Sequence, residues 1–144
     1  MEELLNKLKE FHLVYGHPIE SEPTTQTNEL AELRYKLGKE ELDEYLEANR
    51  NDDPVEVADA LADQLYILLG TMLAHGMQNV ITEVFDEVHR SNMSKLGEDG
   101  KPIKREDGKI LKGPNYFKPD LGKIINKEWE RKRLQPEISF DEKV

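Results

Sequence analysis

The apolar positions in the first fifty residues recur every three or four places, which is the spacing of one face of an α-helix. This pattern predicts a first helix over residues 2–15, ended by Gly16, and a loop over residues 17–26. A second helix is predicted from an N-cap at Thr27 to about Ala48. Its apolar face consists of three leucines: Leu30, Leu33 and Leu37. The chain is therefore expected to begin with two amphipathic helices.

Residues 54–75 predict a third helix of a different kind. Asp53, Pro54 and Glu56 have the order of a cap residue, a first-turn proline and a capping-box acid. The residues that follow are apolar on nearly every face, which is typical of a helix buried among other helices. We therefore expect this helix at the centre of the fold.

A fourth helix is predicted from about Val80 to Leu96, with Asn79 as its N-cap. Its apolar stripe has four members: Ile81, Val84, Phe85 and Val88. The same stripe continues into two polar residues, Asn92 and Lys95. Polar groups thus replace apolar ones at one end of this helical face.

The sequence then changes to a small polar repeat that contains Asp107 and Gly108, a strong signal for a turn between two strands. Residues 98–112 are therefore predicted to form a hairpin, within a flap or arm at residues 97–120. Two roles stay open for this segment. It can close over a substrate or embrace a neighbouring subunit.

A short helix from Leu121 to Arg133 and a loose tail over residues 135–144 are predicted to complete the chain. The predicted fold class is all-α with a short hairpin-like segment and a C-terminal helix. The length of 144 residues suits a single domain, which we place at residues 1–134.

The composition narrows the classes of function. The chain has no cysteine, which excludes a disulfide framework, a thiolate metal site and a cysteine nucleophile. Its net charge of −10 argues against a general nucleic-acid binder, although residues 95–133 hold 12 Lys and Arg against 7 Asp and Glu. The longest apolar tract, residues 65–74, is too short to span a bilayer. We expect a cytoplasmic protein with no nucleic-acid or membrane partner.

Acids occupy positions where the second and third helices should bury apolar side chains. On the second helix, the face that carries the leucines continues into Glu41 and Glu44, with Glu40 at its edge. On the third helix, Asp59 and Asp63 lie one turn apart. The short connection between these helices would bring both pairs together. Four like charges in a partly dry site require a cation. Oxygen ligands alone favour Mg²⁺ or Mn²⁺ over zinc.

A hard divalent ion also binds phosphate oxygens, so a diphosphate or triphosphate substrate is expected. Asn92 and Lys95 would supply donors to it, but both can instead meet the last carbonyls of their own helix. Tyr66, one turn past Asp63, can stack on a base or merely pack. His89 lies beside the Asn92 face and is the one histidine worth testing.

The acids also have structural explanations. Glu41 and Glu44 can form a buried salt bridge with a cation such as Arg34, and the second acid pair is what favours a metal site instead. Glu56 is better explained as a capping residue than as a ligand.

Two stretches, "LRYKLGKEELDEYLEA" and "VADALADQLYILLG", resemble the paired-acid helices of the all-α nucleoside triphosphate pyrophosphohydrolases. This superfamily includes MazG-like proteins and phosphoribosyl-ATP pyrophosphohydrolase. The later stretch "HRSNMSK" strengthens the resemblance, which covers roughly residues 28–121. It implies a four-helix core, assembly into a homodimer or homotetramer, and Mg²⁺-dependent cleavage between the α and β phosphates of a nucleotide.

The resemblance also implies roles for individual residues. The EExxE motif of the family matches three of them: Glu40, Glu41 and Glu44. Its second motif, ExxD, matches Asp63, but the glutamate position falls on Ala60, so Asp59 is the expected replacement. Metal binding is therefore predicted for Glu41, Glu44, Asp59 and Asp63. Glu40 is expected to orient or deprotonate the attacking water.

The predicted function is a Mg²⁺-dependent nucleotide pyrophosphohydrolase, acting on ordinary or aberrant NTPs and dNTPs. Three alternatives remain at this point. One is cleavage of phosphoribosyl-ATP by the same chemistry, and another is a non-catalytic regulator that binds metal and nucleotide. The last is a purely structural helical protein that binds no Mg²⁺.

Overall fold

The computed structural model describes residues 1–135, which contain five α-helices. In chain order these are α1 (Glu2–Tyr15), α2 (Asn28–Arg50), α3 (Pro54–Ala74), α4 (Ile81–Met93) and α5 (Leu121–Leu134). The predicted all-α class is confirmed. The chain divides into two compact units, Met1–Gln78 and a second that begins at Asn79. The predicted loose tail lies outside the described residues from position 136 onward.

In the first unit α2 and α3 form an antiparallel hairpin, and α1 packs against α3. The connection is short, and Asp53 at its end caps α3 by accepting hydrogen bonds from the N–H groups of Val55 and Glu56. The N–H of Asp53 itself donates to the Ala48 carbonyl at 3.1 Å. Since that donor is already bonded, Glu56 is not needed to complete a capping box, and its side chain stays exposed.

The burial of α3 differs from the prediction. Its buried residues are Ala60, Leu69, Gly70, Leu73 and Ala74. Leu61 and Leu68 are 50% and 53% exposed, because α1 and α2 cover only part of the helix within the first unit. Among the described helices α3 is also the one long and apolar enough to cross a membrane, a test that core helices of water-soluble proteins pass as well.

The loop between α1 and α2 (residues 17–26, called the strap below) caps the C-terminal end of α3. Its donors are the backbone N–H groups of Glu20 and Thr24 and the side-chain amide of Gln26. The accepting carbonyls, in the same order, belong to Leu73, His75 and Ala74, at 3.0, 3.0 and 2.6 Å. The strap thus satisfies carbonyls that the end of a helix leaves without intrahelical partners.

In the second unit α4 packs against α5. The prediction that Asn79 caps α4 was wrong, since the helix begins at Ile81 without a side-chain cap. The Asn79 side chain instead donates to Glu128 at 3.1 Å. Glu128 is a buried acid on α5 that also accepts two hydrogen bonds from Arg131. A tertiary contact has replaced the local cap.

The apolar stripe of α4 is only partly buried. Phe85, predicted to face inward, is 66% exposed, so its assignment to the core was wrong for the single chain. The other three members of the stripe are half-buried: Ile81, Val84 and Val88. The core of this unit is therefore small.

The predicted hairpin is present. An isolated antiparallel bridge pairs Lys104 with Ile110, and the turn between them contains Asp107 and Gly108. Gly108 has φ 86°, in the left-handed region that favours glycine.

The root of this hairpin is fastened to the end of α4. The hydroxyl of Ser91 donates to the Phe117 carbonyl at 2.8 Å, and the Phe117 N–H donates to the Ser94 hydroxyl at 3.1 Å. Gly113 donates its N–H to the Lys95 carbonyl at 2.9 Å and lies where a Cβ would overlap the backbone just after α4. The root is thus fixed by several contacts.

Candidate functional site

The acid cluster lies toward the connected end of the α2–α3 hairpin. Glu41 is its centre and is half-buried. Its Oε2 atom is buried and has no hydrogen-bond partner among residues 1–135. Burial raises the pKa of Glu41 above its usual range, and the negative charges of Glu44, Asp63, Glu40 and Asp59 raise it further. The structure therefore groups the other four predicted acids around the Glu41 carboxylate.

The salt-bridge explanation of Glu41 does not hold for Arg34. The Nη2 atom of Arg34 donates to the Ile67 carbonyl at 2.5 Å, and its Nε atom donates to the Thr71 hydroxyl at 2.9 Å. Burial lowers the pKa of this guanidinium. Arg34 thus fastens α2 to α3, and its charge does not pair with the acid cluster.

The four acids around Glu41 are exposed, so their side chains are free to turn. Within the described part of the chain, no three His, Asp or Glu side chains stand close enough together to hold a metal ion without such movement. The cluster is therefore a set of neighbouring carboxylates rather than a preformed cage.

Glu56, which was interpreted from the sequence as a cap, lies beside one acid of the cluster. Glu44 and Glu56 line one cleft of about 260 Å³ beside the helix connection. Glu56 and Asp59 also have the ExxD spacing. In this alignment the aspartate of the motif is Asp59, one helical turn before Asp63. The signal was present in the sequence, and the capping interpretation concealed it.

Gln64 was not singled out from the sequence either. It follows Asp63 on α3, and its side-chain amide donates to the backbone carbonyl of Glu41 at 3.3 Å. This bond helps to set the register of one acid pair against the other. The sequence around Gln64 does not indicate which backbone group its side chain will bond, so this contact could not be predicted.

Tyr66 has a packing role in the first unit. Its ring meets that of Phe11 edge-on, with 5.3 Å between the centroids, and Phe11 also stacks on His17. The ring is still partly exposed. A second role in stacking on a base stays a prediction.

Asn92, Lys95 and His89 belong to the second unit. Asn92 and His89 are exposed on α4, whereas Lys95 is half-buried in the turn beyond the end of that helix. The Lys95 N–H donates to the Asn92 carbonyl at 3.2 Å. Their backbones therefore form the helix terminus, and contact between their side chains and a substrate stays a prediction.

Residues 8–92, more than half of the chain, match the family model of phosphoribosyl-ATP pyrophosphohydrolase. The chain belongs to the phosphoribosyl-ATP pyrophosphohydrolase family. The matched residues include α2, α3 and the whole acid cluster. The predictions of an enzyme and of the all-α pyrophosphohydrolase superfamily are thereby confirmed.

No curated protein matches the chain significantly. Among solved structures, the chain is similar to a protein from Exiguobacterium sp. 255-15 that was provisionally identified as an NTP pyrophosphohydrolase. The identity is 24%, the match covers 92% of this chain and 96% of that one, and the TM-score is 0.47. The family match places the chain in the phosphoribosyl-ATP pyrophosphohydrolase family, and its substrate has to be inferred from the residues of its own site.

Proposed function

We propose that this chain is a Mg²⁺-dependent pyrophosphohydrolase that cleaves NTPs and dNTPs between the α and β phosphates, releasing a nucleoside monophosphate and pyrophosphate. One observation carries the proposal: the buried, unpartnered Oε2 atom of Glu41 lies among four other acids. Buried polar atoms are normally hydrogen-bonded, and like charges normally avoid one another. Their persistence in a folded protein supports a site completed by a cation.

The residues fit a divalent cation by their chemistry. Every donor is a carboxylate oxygen, the ligand that Mg²⁺ and Mn²⁺ prefer. The half-buried Glu41 fixes one donor, and the exposed acids can turn toward an ion beside it. The ligands would come from Glu41, Glu44, Asp59 and Asp63, with Glu56 added from the shared cleft.

When bound, the ion supplies Lewis-acid polarisation of phosphoryl oxygens and a lowered pKa for a coordinated water. The chain's own residues provide positioning and proton transfer. Glu40, exposed at the edge of the cluster, accepts the proton of the attacking water. Gln64 holds the backbone of Glu41 against α3, so that the two acid pairs keep their register.

Phosphoribosyl-ATP is the second candidate substrate, and the match of its family model to residues 8–92 favours it. It presents a triphosphate to the same acids and differs by an additional phosphoribosyl group on the nucleotide. The two candidates therefore share one mechanism and differ in what must surround the base.

Pyrophosphate release with Mg²⁺ across a panel of NTPs, dNTPs and phosphoribosyl-ATP tests the proposal. The wild type is compared with Glu41→Gln and with Glu32→Gln, an exposed acid on the same helix outside the cluster. We expect release by the wild type and by Glu32→Gln, with loss in Glu41→Gln. Release from phosphoribosyl-ATP alone would select the second candidate. A folded wild type that releases pyrophosphate from no substrate would contradict both.

A further inference from the structure

The first unit has few cations to offer an anionic substrate. Residues 1–78 contain 17 Asp and Glu against 6 Lys and Arg. Two of the cations on α2 are already engaged, since Arg34 is bonded to α3 and Lys39 is paired with Asp43. Cationic side chains bind phosphate oxygens through charge-assisted hydrogen bonds, in addition to any metal ion. Lys36 and Arg50 are the remaining cations of α2, so cations from outside this unit would add to a small supply.

The hairpin at residues 101–112 carries such cations. It contains five Lys and Arg against two acids, and every one of its residues is exposed. Its backbone pairing places Ile103 opposite Leu111 and Arg105 opposite Lys109 on one face. That face therefore presents two aliphatic side chains near the root and two cations nearer the turn. Arg105 also pairs with Asp107 of the same turn, at 2.6 Å, and both partners are exposed.

This face stays open to solvent in the described chain. Ile103 and Leu111 are 40% and 38% exposed. A two-stranded hairpin is marginally stable at best by itself in water, yet this one is held at a fixed root by Ser91 and Ser94. A fixed root with an uncovered basic and apolar face is suited to docking on another surface.

We propose that this hairpin docks on the first unit of a second copy of the chain and places Arg105 and Lys109 beside that copy's acid cluster, where they bind the phosphates of the substrate. The docking follows from the surfaces of the two copies. Only the phosphate role rests on the proposed function.

Charge complementarity identifies the second copy as the partner. The first unit is strongly acidic and the hairpin is basic, so the two attract and orient one another across an interface between copies. The exposed Leu61 and Leu68 of α3 offer apolar surface to the aliphatic pair of the hairpin. The net charge of −10 for the whole chain disfavours nucleic acid as the occupant.

Crosslinking between isotopically distinct copies tests the docking without using activity. Unlabelled and heavy-isotope wild-type proteins are allowed to exchange subunits and are then treated with a carbodiimide, which joins lysine amines directly to carboxylates. We expect peptides that link Lys104 or Lys109 to acids of α2 or α3, with one label from each copy. Links confined to one label, an absence of such links, or a monomeric protein in sedimentation would overturn the docking.

Charge reversal tests the two cations on the docking face. Arg105→Glu combined with Lys109→Glu should weaken self-association about tenfold and raise KM, because like charges would then meet. The matched control, Arg105→Lys combined with Lys109→Arg, preserves the charge and should change neither. All four residues on this face are exposed. Charge reversal also removes the pair between Arg105 and Asp107, whereas the control keeps a positive charge beside that acid. Unchanged association and KM in the reversed protein would count against the proposal.

A mixing experiment separates action within one chain from action between copies. Glu41→Gln and the charge-reversed variant are each weakly active at limiting substrate, but in a mixed oligomer intact acids of one copy meet the intact hairpin of the other. Activity should therefore return on mixing. Failure to return in proven mixed oligomers would overturn the placement between copies. Mixed-label crosslinks in a protein inactive on every substrate would instead refute the proposed function and leave the docking standing.

Discussion

Two polar clusters interrupt the same pair of helices, and they differ in how far they are satisfied. At one end of the α2–α3 hairpin, Arg34 donates to two acceptors on α3, and the fully buried His12 is hydrogen-bonded through Nδ1 to the Pro18 carbonyl at 2.9 Å. Toward the other end, and within the part of the chain that the structure describes, Glu41 has an unpartnered oxygen, and the charged groups that act on it are acids. Completed polar contacts mark structure, whereas uncompensated like charges mark chemistry.

The largest expected effect is on activity in the acid cluster. Glu41→Gln should lower kcat/KM at least about a hundredfold, because it removes the central charged ligand of the proposed ion. The free energy of unfolding of the metal-free protein should stay equal or rise, because the substitution also removes repulsion. Steady-state kinetics and urea unfolding of the same sample measure both. Full activity in this variant would show that the acid cluster is not the catalytic site.

Glu56 offers a sharper division between structure and chemistry. Glu56→Gln should lower kcat/KM about tenfold or more and weaken Mn²⁺ binding, if the cleft shared with Glu44 belongs to the site. Asp63→Asn, measured in parallel, shows which acid completes the ExxD pair. Glu47→Gln, which removes a negative charge from the same cleft, is the control for a general effect of charge. A residue that only caps α3 would affect unfolding and leave Mn²⁺ binding intact.

Gly70 tests the satisfied cluster. A Cβ there would lie 2.6 Å from Nη2 of Arg34 and 2.8 Å from Nε2 of His12, so Gly70→Ala should destabilise the fold by about 1 kcal/mol or more. Activity per folded molecule should change little. Gly38→Ala is the matched control, because its Cβ would meet only Ile67 at an ordinary 3.9 Å and alanine favours a helix. Equal stability of the two variants would mean that the side chains of Arg34 and His12 can shift at little cost in free energy.

The smallest expected effect is the pH dependence of stability from His12. Burial lowers the pKa of His12 below its usual 6.5, and the positive charges of Arg34 and His17 lower it further, against the opposing bond to Pro18. The unfolded chain therefore takes up a proton before the folded one does. Stability from this residue is full above about pH 6.5 and falls as the pH drops through the folded value. Urea titrations at several pH values should show this slope lost in His12→Leu and kept in His89→Gln.

Local signals predicted the helices well because they act through adjacent residues. Thr27 accepts the hydrogen bond of a cap, Asp53 accepts two, and Gly16 adopts the left-handed conformation that ends α1. Asn79 has the same cap signature, but its side chain is taken by Glu128, 49 residues further along. A local pattern cannot express that competition.

The acid cluster was predictable for a similar reason. Helical periodicity and a short turn were enough to group Glu41 with the other predicted acids. Glu56 was overlooked because one residue can satisfy two motifs. The cations proposed to bind the phosphates lie on a distant segment and, in our proposal, on another copy of the chain. Helical periodicity contains no information about either.

The strap at residues 17–26 has a consequence for the order of folding. It joins the end of α3 through contacts that span 51 and 58 positions, whereas α2 and α3 are connected by a short turn. Closing the longer loop costs more conformational entropy, so the helical hairpin should form before the strap is fastened. Loosening the strap, for example with Gln26→Ala, should then speed unfolding and leave the folding rate nearly unchanged. The kinetic lifetime of the folded chain is thus set in part by a segment without regular secondary structure.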